Sequence, residues 1–149
     1  MMTEKFNEDM GQAKEQCRRQ DHLIIMGNFN AKVEEMEDQV VGPNGLGIRK
    51  MRGDKLHIVE WCHPRNLIIV DIQFQQPTRN KWTLKSPGGK SRNQIDYIMI
   101  STWFTKVLLS VKPYLRADCY SDHVLVATIF KLKLKKTRST KITSNLICL

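Results

Sequence analysis

Three short polar clusters stand where apolar runs of this chain end; two carry side chains able to hold or move a charge, and one carries neutral hydrogen-bonding amides. Gly27-Asn28-Phe29-Asn30 offers two amides. Asn93-Gln94-Ile95-Asp96-Tyr97 places a carboxylate inside an otherwise apolar stretch, and Ser121-Asp122-His123 sets an imidazole beside a second carboxylate. Strand ends are where side chains from several elements converge on one site. Asp96 is the most informative of these residues, because a carboxylate within a strand needs a partner to offset its desolvation. Taken singly, each cluster also reads as plain structure. Asn28 and Asn30 satisfy a turn after a strand, and Asp122 with His123 makes a turn before the last one.

The elements that must position these groups follow from periodicity. Phe6, Met10, Ala13 and Cys17 recur at helical spacing and predict an amphipathic helix over Glu4–Arg19, broken at Asp21-His22. Leu23–Met26 and Leu67–Val70 are short apolar runs that predict strands buried on both faces. Ala31–Arg52, with Gly42-Pro43-Asn44-Gly45 and Gly47, predicts a loop. It is not a phosphate-binding P-loop, since no Gly-Lys-Ser/Thr follows. Leu56, Val59 and Cys62 predict a second helix from Asp54 to about His63, with Pro64 at its exit. Strands are predicted at Lys81–Lys85 (ending in the Ser86-Pro87-Gly88-Gly89 turn), Gln94–Ile100, Val107–Leu115 and Val124–Leu134. Two helices and then mostly strands give an α/β domain with a largely antiparallel sheet, and too few helices to cover both of its faces. One principal sheet is expected from Leu23–Met26, Leu67–Val70, Gln94–Ile100 and Val124–Leu134.

Composition sets the outer bounds. The 149 residues suffice for one domain with a real core. The apolar runs fall far short of the ~20 residues that a membrane-spanning helix needs, and Met1–Arg19 lacks the apolar stretch of a signal peptide. Nuclear or cytoplasmic residence, not secretion, is the expectation. The four cysteines show neither zinc-finger nor disulfide-framework spacing and read as reduced. The net charge of +9 is concentrated in Lys131–Lys141, which holds Lys131, Lys133, Lys135, Lys136, Arg138 and Lys141 and no acid. Such a segment can touch phosphate backbones, serve as a nuclear import signal or simply remain solvated.

In order, the clusters resemble a known pattern: an apolar strand into Met26-Gly27-Asn28-Phe29-Asn30, then Arg92-Asn93-Gln94-Ile95-Asp96-Tyr97-Ile98, then Ala117-Asp118-Cys119-Tyr120-Ser121-Asp122-His123 before a final strand. With Gly45-Leu46-Gly47, Arg52–Leu56 and Lys131–Lys136, this resembles the endonuclease/exonuclease/phosphatase superfamily from about Phe6 to Lys136. The nearest likeness is to LINE-type retrotransposon-derived endonucleases, the group called craniofacial development protein 2-like. The resemblance implies metal-dependent hydrolysis of DNA phosphodiester bonds, usually with Mg²⁺, and makes DNA the expected partner. It assigns His123 to the scissile phosphate, Asp96 to orienting that imidazole, Asn30 to a phosphate oxygen and Asp122 to the side of the metal. It gives Asn28 the place of a proton-handling aspartate. Lys131, Lys133, Lys135, Lys136 and Arg138 are the expected nucleic-acid contacts.

The implied fold is the C-terminal half of a four-layer αββα sandwich of DNase I type, with residues 1–136 as a partial domain and 137–149 as a flexible tail. Glu4, Glu8 and Glu15 lie on a predicted helix, so none is expected to act as the family's metal glutamate. Asn28 cannot titrate. The activity is therefore expected to be weak or lost, and the alternative is a non-catalytic remnant that binds DNA or protein. An uncovered sheet face is expected to favour self-association or a partner.

Overall fold

A computed structural model describes residues 4–33, 42, 56–117 and 120–133. The first helix, α1, is Glu4–Glu15, with Met10 buried, Glu4 in its first turn and Lys14 in its last, as the helix dipole favours. It ends short of Arg19 because the following residues break into turns, where the Asp21 carboxylate accepts the Arg18 amide at 2.9 Å. Strand β1 (Ile24–Asn28) follows. Helix α2 is described from Leu56 to Cys62, so its expected start at Asp54 lies outside the described residues, as does most of the loop after Val33. Pro64 turns the chain into a single 3₁₀ turn, His63–Arg65, which closes at Asn66 with φ +53°.

The remaining strands are β2 (Leu67–Ile69), β3 (Leu84–Lys85), β4 (Arg92–Asn93), β5 (Asp96–Ser101), β6 (Leu108–Tyr114) and β7 (Leu125–Phe130). The architecture is mixed α/β with antiparallel sheets, as the order of helices and strands in the sequence predicts. The largest sheet has three strands in the order β1-β5-β2, both pairings antiparallel. Central β5 is buried at every position from Tyr97 to Ser101.

Two expectations need correction here. The last strand does not join this sheet: β7 pairs with β6 in a separate ribbon, from Tyr114↔Leu125 to Leu108↔Phe130. Both edges of β5 are already taken by β1 and β2, and β6 lies a short connection away in the chain. Strand β1, expected to be buried on both faces, is an edge strand with Met26 37% exposed.

Two apolar clusters make up the core. Met10, Ile58, Trp61, Cys62, Leu67, Ile69, Tyr97 and Met99 pack beneath the helices. Ile68, Val70, Ile98, Ile100, Phe104 and Val111 form the second, with Val126 and Phe130 of the ribbon against it. The alternation of β2 and β5 explains the division, since successive side chains of a strand point to opposite faces. The ribbon thus covers the sheet's second face. Outward apolar residues of the ribbon itself include Leu109, Leu125 and Ile129, each about half exposed. Burying a side chain such as Ile100 contributes roughly 1.5–3 kcal/mol.

Candidate active site

Strands β1 and β5 bring the first two polar clusters to one place. Their antiparallel pairing sets Asn28 opposite Asp96, at the end where β1 finishes and β5 begins. Beyond Asn28 the chain turns sharply. Phe29 goes into the core while its amide donates to the Ile95 carbonyl at 2.9 Å. Asn30 takes the left-handed conformation, φ +49°, which asparagine tolerates better than most residues. The Asn28 side-chain oxygen accepts the Asn30 amide at 2.8 Å, so Asn28 closes this turn with the oxygen that an aspartate would also offer.

The third cluster arrives through Thr83, just before β3. Thr83 is fully buried, and its hydroxyl oxygen accepts the amides of Ile95 at 3.1 Å and Asp96 at 3.2 Å. Its carbonyl accepts the Val124 amide at 2.7 Å, while Lys85 donates its amide to the Asp122 carbonyl at 3.0 Å. His123 forms an isolated antiparallel bridge with Leu84, and its amide donates to the Ser121 hydroxyl at 3.1 Å.

Threaded in this way, His123 reaches Asp96. Its Nδ1 lies 2.9 Å from Oδ2 and 3.2 Å from Oδ1 of that carboxylate. The His123 side chain is 33% exposed and that of Asp96 19%. A carboxylate accepts and does not donate, so Nδ1 carries the proton in this contact. Nε2 remains for a group outside. The ring is therefore oriented from behind, an arrangement suited to presenting one nitrogen to an anion.

A cleft of about 490 Å³ opens beside His123 and Asp122, lined also by Trp82, Lys85 and Ser121. Its outer wall is the Ser86–Gly89 turn between β3 and β4. Gly88 and Gly89 there have φ +81° and +70°, a conformation that side chains resist. Arg92 of β4 lies 5.0 Å over the Trp82 ring.

The chain matches the model of the Endonuclease/Exonuclease/phosphatase family over residues 2–123. It belongs to that family. Over 132 residues it is 40% identical to craniofacial development protein 2 of Bos taurus and 39% identical to the protein of that name from Tragulus javanicus. Each match covers 88% of this chain but only 22% and 23% of the relatives, so the chain spans less than a quarter of their length.

Asn28, Asp96 and His123 thus share one end of the fold, with Asn30 in the turn beside Asn28 and Asp122 next to His123. The family is in general metal-dependent, but the described residues do not form a Mg²⁺ site. Among them no three His, Cys, Asp or Glu side chains cluster as ligands, and Asp122 is an exposed carboxylate with the Ser121 hydroxyl 3.5 Å away. Lys131 and Lys133 are exposed beyond the far end of β7, whereas Lys135, Lys136 and Arg138 lie outside the described residues. Lys131 lies eight steps of largely extended chain from His123, roughly 26 Å.

Thr83 and Asp71 also belong to this region, and neither is singled out by the sequence patterns above. Thr83 sits in a run too short to show alternation. Asp71 directly follows the apolar run Leu67–Val70, the same juxtaposition that marks the other clusters. Its carboxyl is buried and accepts the Ile98 amide at 2.5 Å. Burial pushes it up from its ordinary 3.8 to about 7. The amides of Ile98 and of Asp71 itself oppose that rise, and the Asp96 charge adds to it.

Proposed function

We infer that this chain is an endonuclease-like domain of retrotransposon origin that engages the phosphodiester backbone of DNA, with hydrolysis weak or lost. The observation that carries the reading is the contact of Asp96 with His123, whose side chain lines the cleft. Paired with a carboxylate at Nδ1, the imidazolium also carries a proton on Nε2, which it can donate to a phosphate oxygen, offsetting charge developing there. The Asn30 amide would supply a neutral donor to the same phosphate. Lys85 and Arg92, on the hairpin that walls the cleft, suit the flanking backbone, and Trp82 offers a face on which a base can stack.

Two features argue against efficient cleavage. Asn28 has no titrating group, so it neither takes a proton from an attacking water nor returns one to the leaving oxygen; loss of a positioned acid or base costs about 10²–10⁴ in rate. Among the described residues Asp122 has no second carboxylate clustered with it as a ligand, a poor basis for holding Mg²⁺, which relies on one or two carboxylates together with substrate oxygens. Phosphodiester binding without turnover is therefore the second reading, and these two residues favour it.

Nicking of supercoiled plasmid in Mg²⁺, run beside fluorescence anisotropy on a DNA duplex, separates the possibilities, with His123→Ala as the control in both. Weakened duplex binding by His123→Ala, with nicking near background, is the expected result. Binding unchanged by that substitution overturns the assignment of the cleft.

A further inference from the structure

The β2–β5 ladder is incomplete where β2 leaves the sheet. The Val70 amide donates to the Ile98 carbonyl at 2.9 Å, one half of the antiparallel rung that follows Ile69↔Met99. The other half would be the Ile98 amide donating to the Val70 carbonyl. That carbonyl instead accepts the Gln73 amide at 3.1 Å, as the chain turns away. The Asp71 side chain fills the gap, its Oδ2 taking the Ile98 amide at 2.5 Å. Asp71 is only 8% exposed, and Ile98 stands two residues from Asp96 on the same strand.

We propose that Asp71 is a positioning residue for Asp96, its enclosed carboxyl completing the broken rung and thereby fixing the stretch of β5 that presents Asp96 to His123. The role rests on the assignment of Asp96 to the site. A charge-assisted hydrogen bond is roughly twice as strong as a neutral one. The rung therefore tightens when Asp71 ionises and slackens when it is protonated. The groups that act on Asp71 electrostatically from β5 are Asp96, which favours its protonated form, and the buried Tyr97 hydroxyl, which is itself sensitive to both carboxylates. Coupling of this kind is reciprocal, so the charge on Asp71 also acts back on Asp96.

The test follows the Ile98 amide by NMR in the full chain, between about pH 5 and 9. The amide resonance is expected to titrate near the Asp71 midpoint. In Asp96→Asn the transition should move to lower pH, because a repelling negative charge is gone. Asp71→Asn keeps an acceptor for the Ile98 amide but not the charge. It should abolish the transition while leaving the fold intact by circular dichroism, and it should shift the Asp96 side-chain carboxyl resonance. Asp71→Ala should in addition speed exchange of the Ile98 amide. An Ile98 amide without a pH transition, or one unmoved by Asp96→Asn, overturns the proposal; so does an Asp96 resonance that ignores Asp71→Asn. None of these readings depends on turnover, so they succeed or fail separately from the nuclease assignment.

Discussion

The Thr83 hydroxyl accepts the Asp96 amide at 3.2 Å, and the carbonyl of the same residue holds the strand that delivers His123. One buried residue therefore spaces the two halves of the His123–Asp96 contact. Thr83→Val keeps the shape and removes the acceptor, leaving the Ile95 and Asp96 amides without it. The expected loss is roughly 1–3 kcal/mol in urea denaturation, and Thr83→Ser should recover most of it. Weaker duplex binding should accompany the loss; a Val variant as stable as the parent removes Thr83 from this role.

Asn28→Asp tests whether one carboxylate suffices. Stability should change by less than about 0.5 kcal/mol, since the aspartate oxygen also accepts the Asn30 amide. Plasmid nicking in Mg²⁺ should stay at background, because the described residues offer no cluster of metal ligands to hold the phosphate for a restored base. Chelator-sensitive nicking by this variant, abolished in combination with His123→Ala, would falsify that expectation.

Asp71 gives folding stability a pH dependence of definite sign. Its carboxyl binds a proton more tightly folded, near 7, than unfolded, near its ordinary 3.8. Across that window the native state holds more protons than the unfolded one, so the Asp71 contribution is fully present below the unfolded value and is lost as pH rises through about 7. The midpoint of urea denaturation should fall less steeply over this range in Asp71→Asn than in the parent. Identical slopes rule out the burial argument.

The Tyr97 hydroxyl accepts the Val33 amide at 2.9 Å and donates to the Gln94 carbonyl at 2.7 Å, and burial pushes its ionisation up. Tyr97→Phe leaves a buried amide without its acceptor, at a cost of roughly 1–3 kcal/mol. Thermal denaturation followed by circular dichroism reads the loss, and an unchanged midpoint would show that the phenol ties nothing down.

Removing the basic residues after β7 (Lys131, Lys133, Lys135, Lys136 and Arg138) should weaken DNA binding to the same extent for every sequence. It should also flatten the dependence of affinity on salt, by up to about 0.9 in log–log slope for each phosphate no longer neutralised. Anisotropy titrations at several salt concentrations measure both. A variant with altered sequence preference contradicts a purely electrostatic role.

Much of the site was legible in the sequence because its polar residues interrupt apolar runs. Asp96 stood out as a carboxylate in a strand, and its partner proved to be His123. The chemistry of the Asn28 turn was equally readable, since asparagine both closes turns and accepts the left-handed conformation of Asn30. Strand partners were harder to foresee. An alternating run such as Val124–Leu134 specifies a strand but not which edge it joins, and here β5 had no edge left. Thr83 was hidden for a related reason: its importance lies in three backbone contacts made by residues far apart in the chain, which no local pattern records.

The pairing of Asn28 with Asp96 closes a loop of 68 residues, whereas the β6–β7 ribbon closes over the short span from Tyr114 to Leu125. Loop-closure entropy for the longer span is roughly 4 kcal/mol before its constant part, against roughly 2 kcal/mol for the shorter. The ribbon can therefore form early and carry His123 to an unfinished scaffold, with Asp96 arriving only once β1 and β5 have met. Refolding from denaturant should show amide protection across Leu108–Tyr114 and Leu125–Phe130 before β1 is protected, and the imidazole–carboxylate contact should be among the last features to appear.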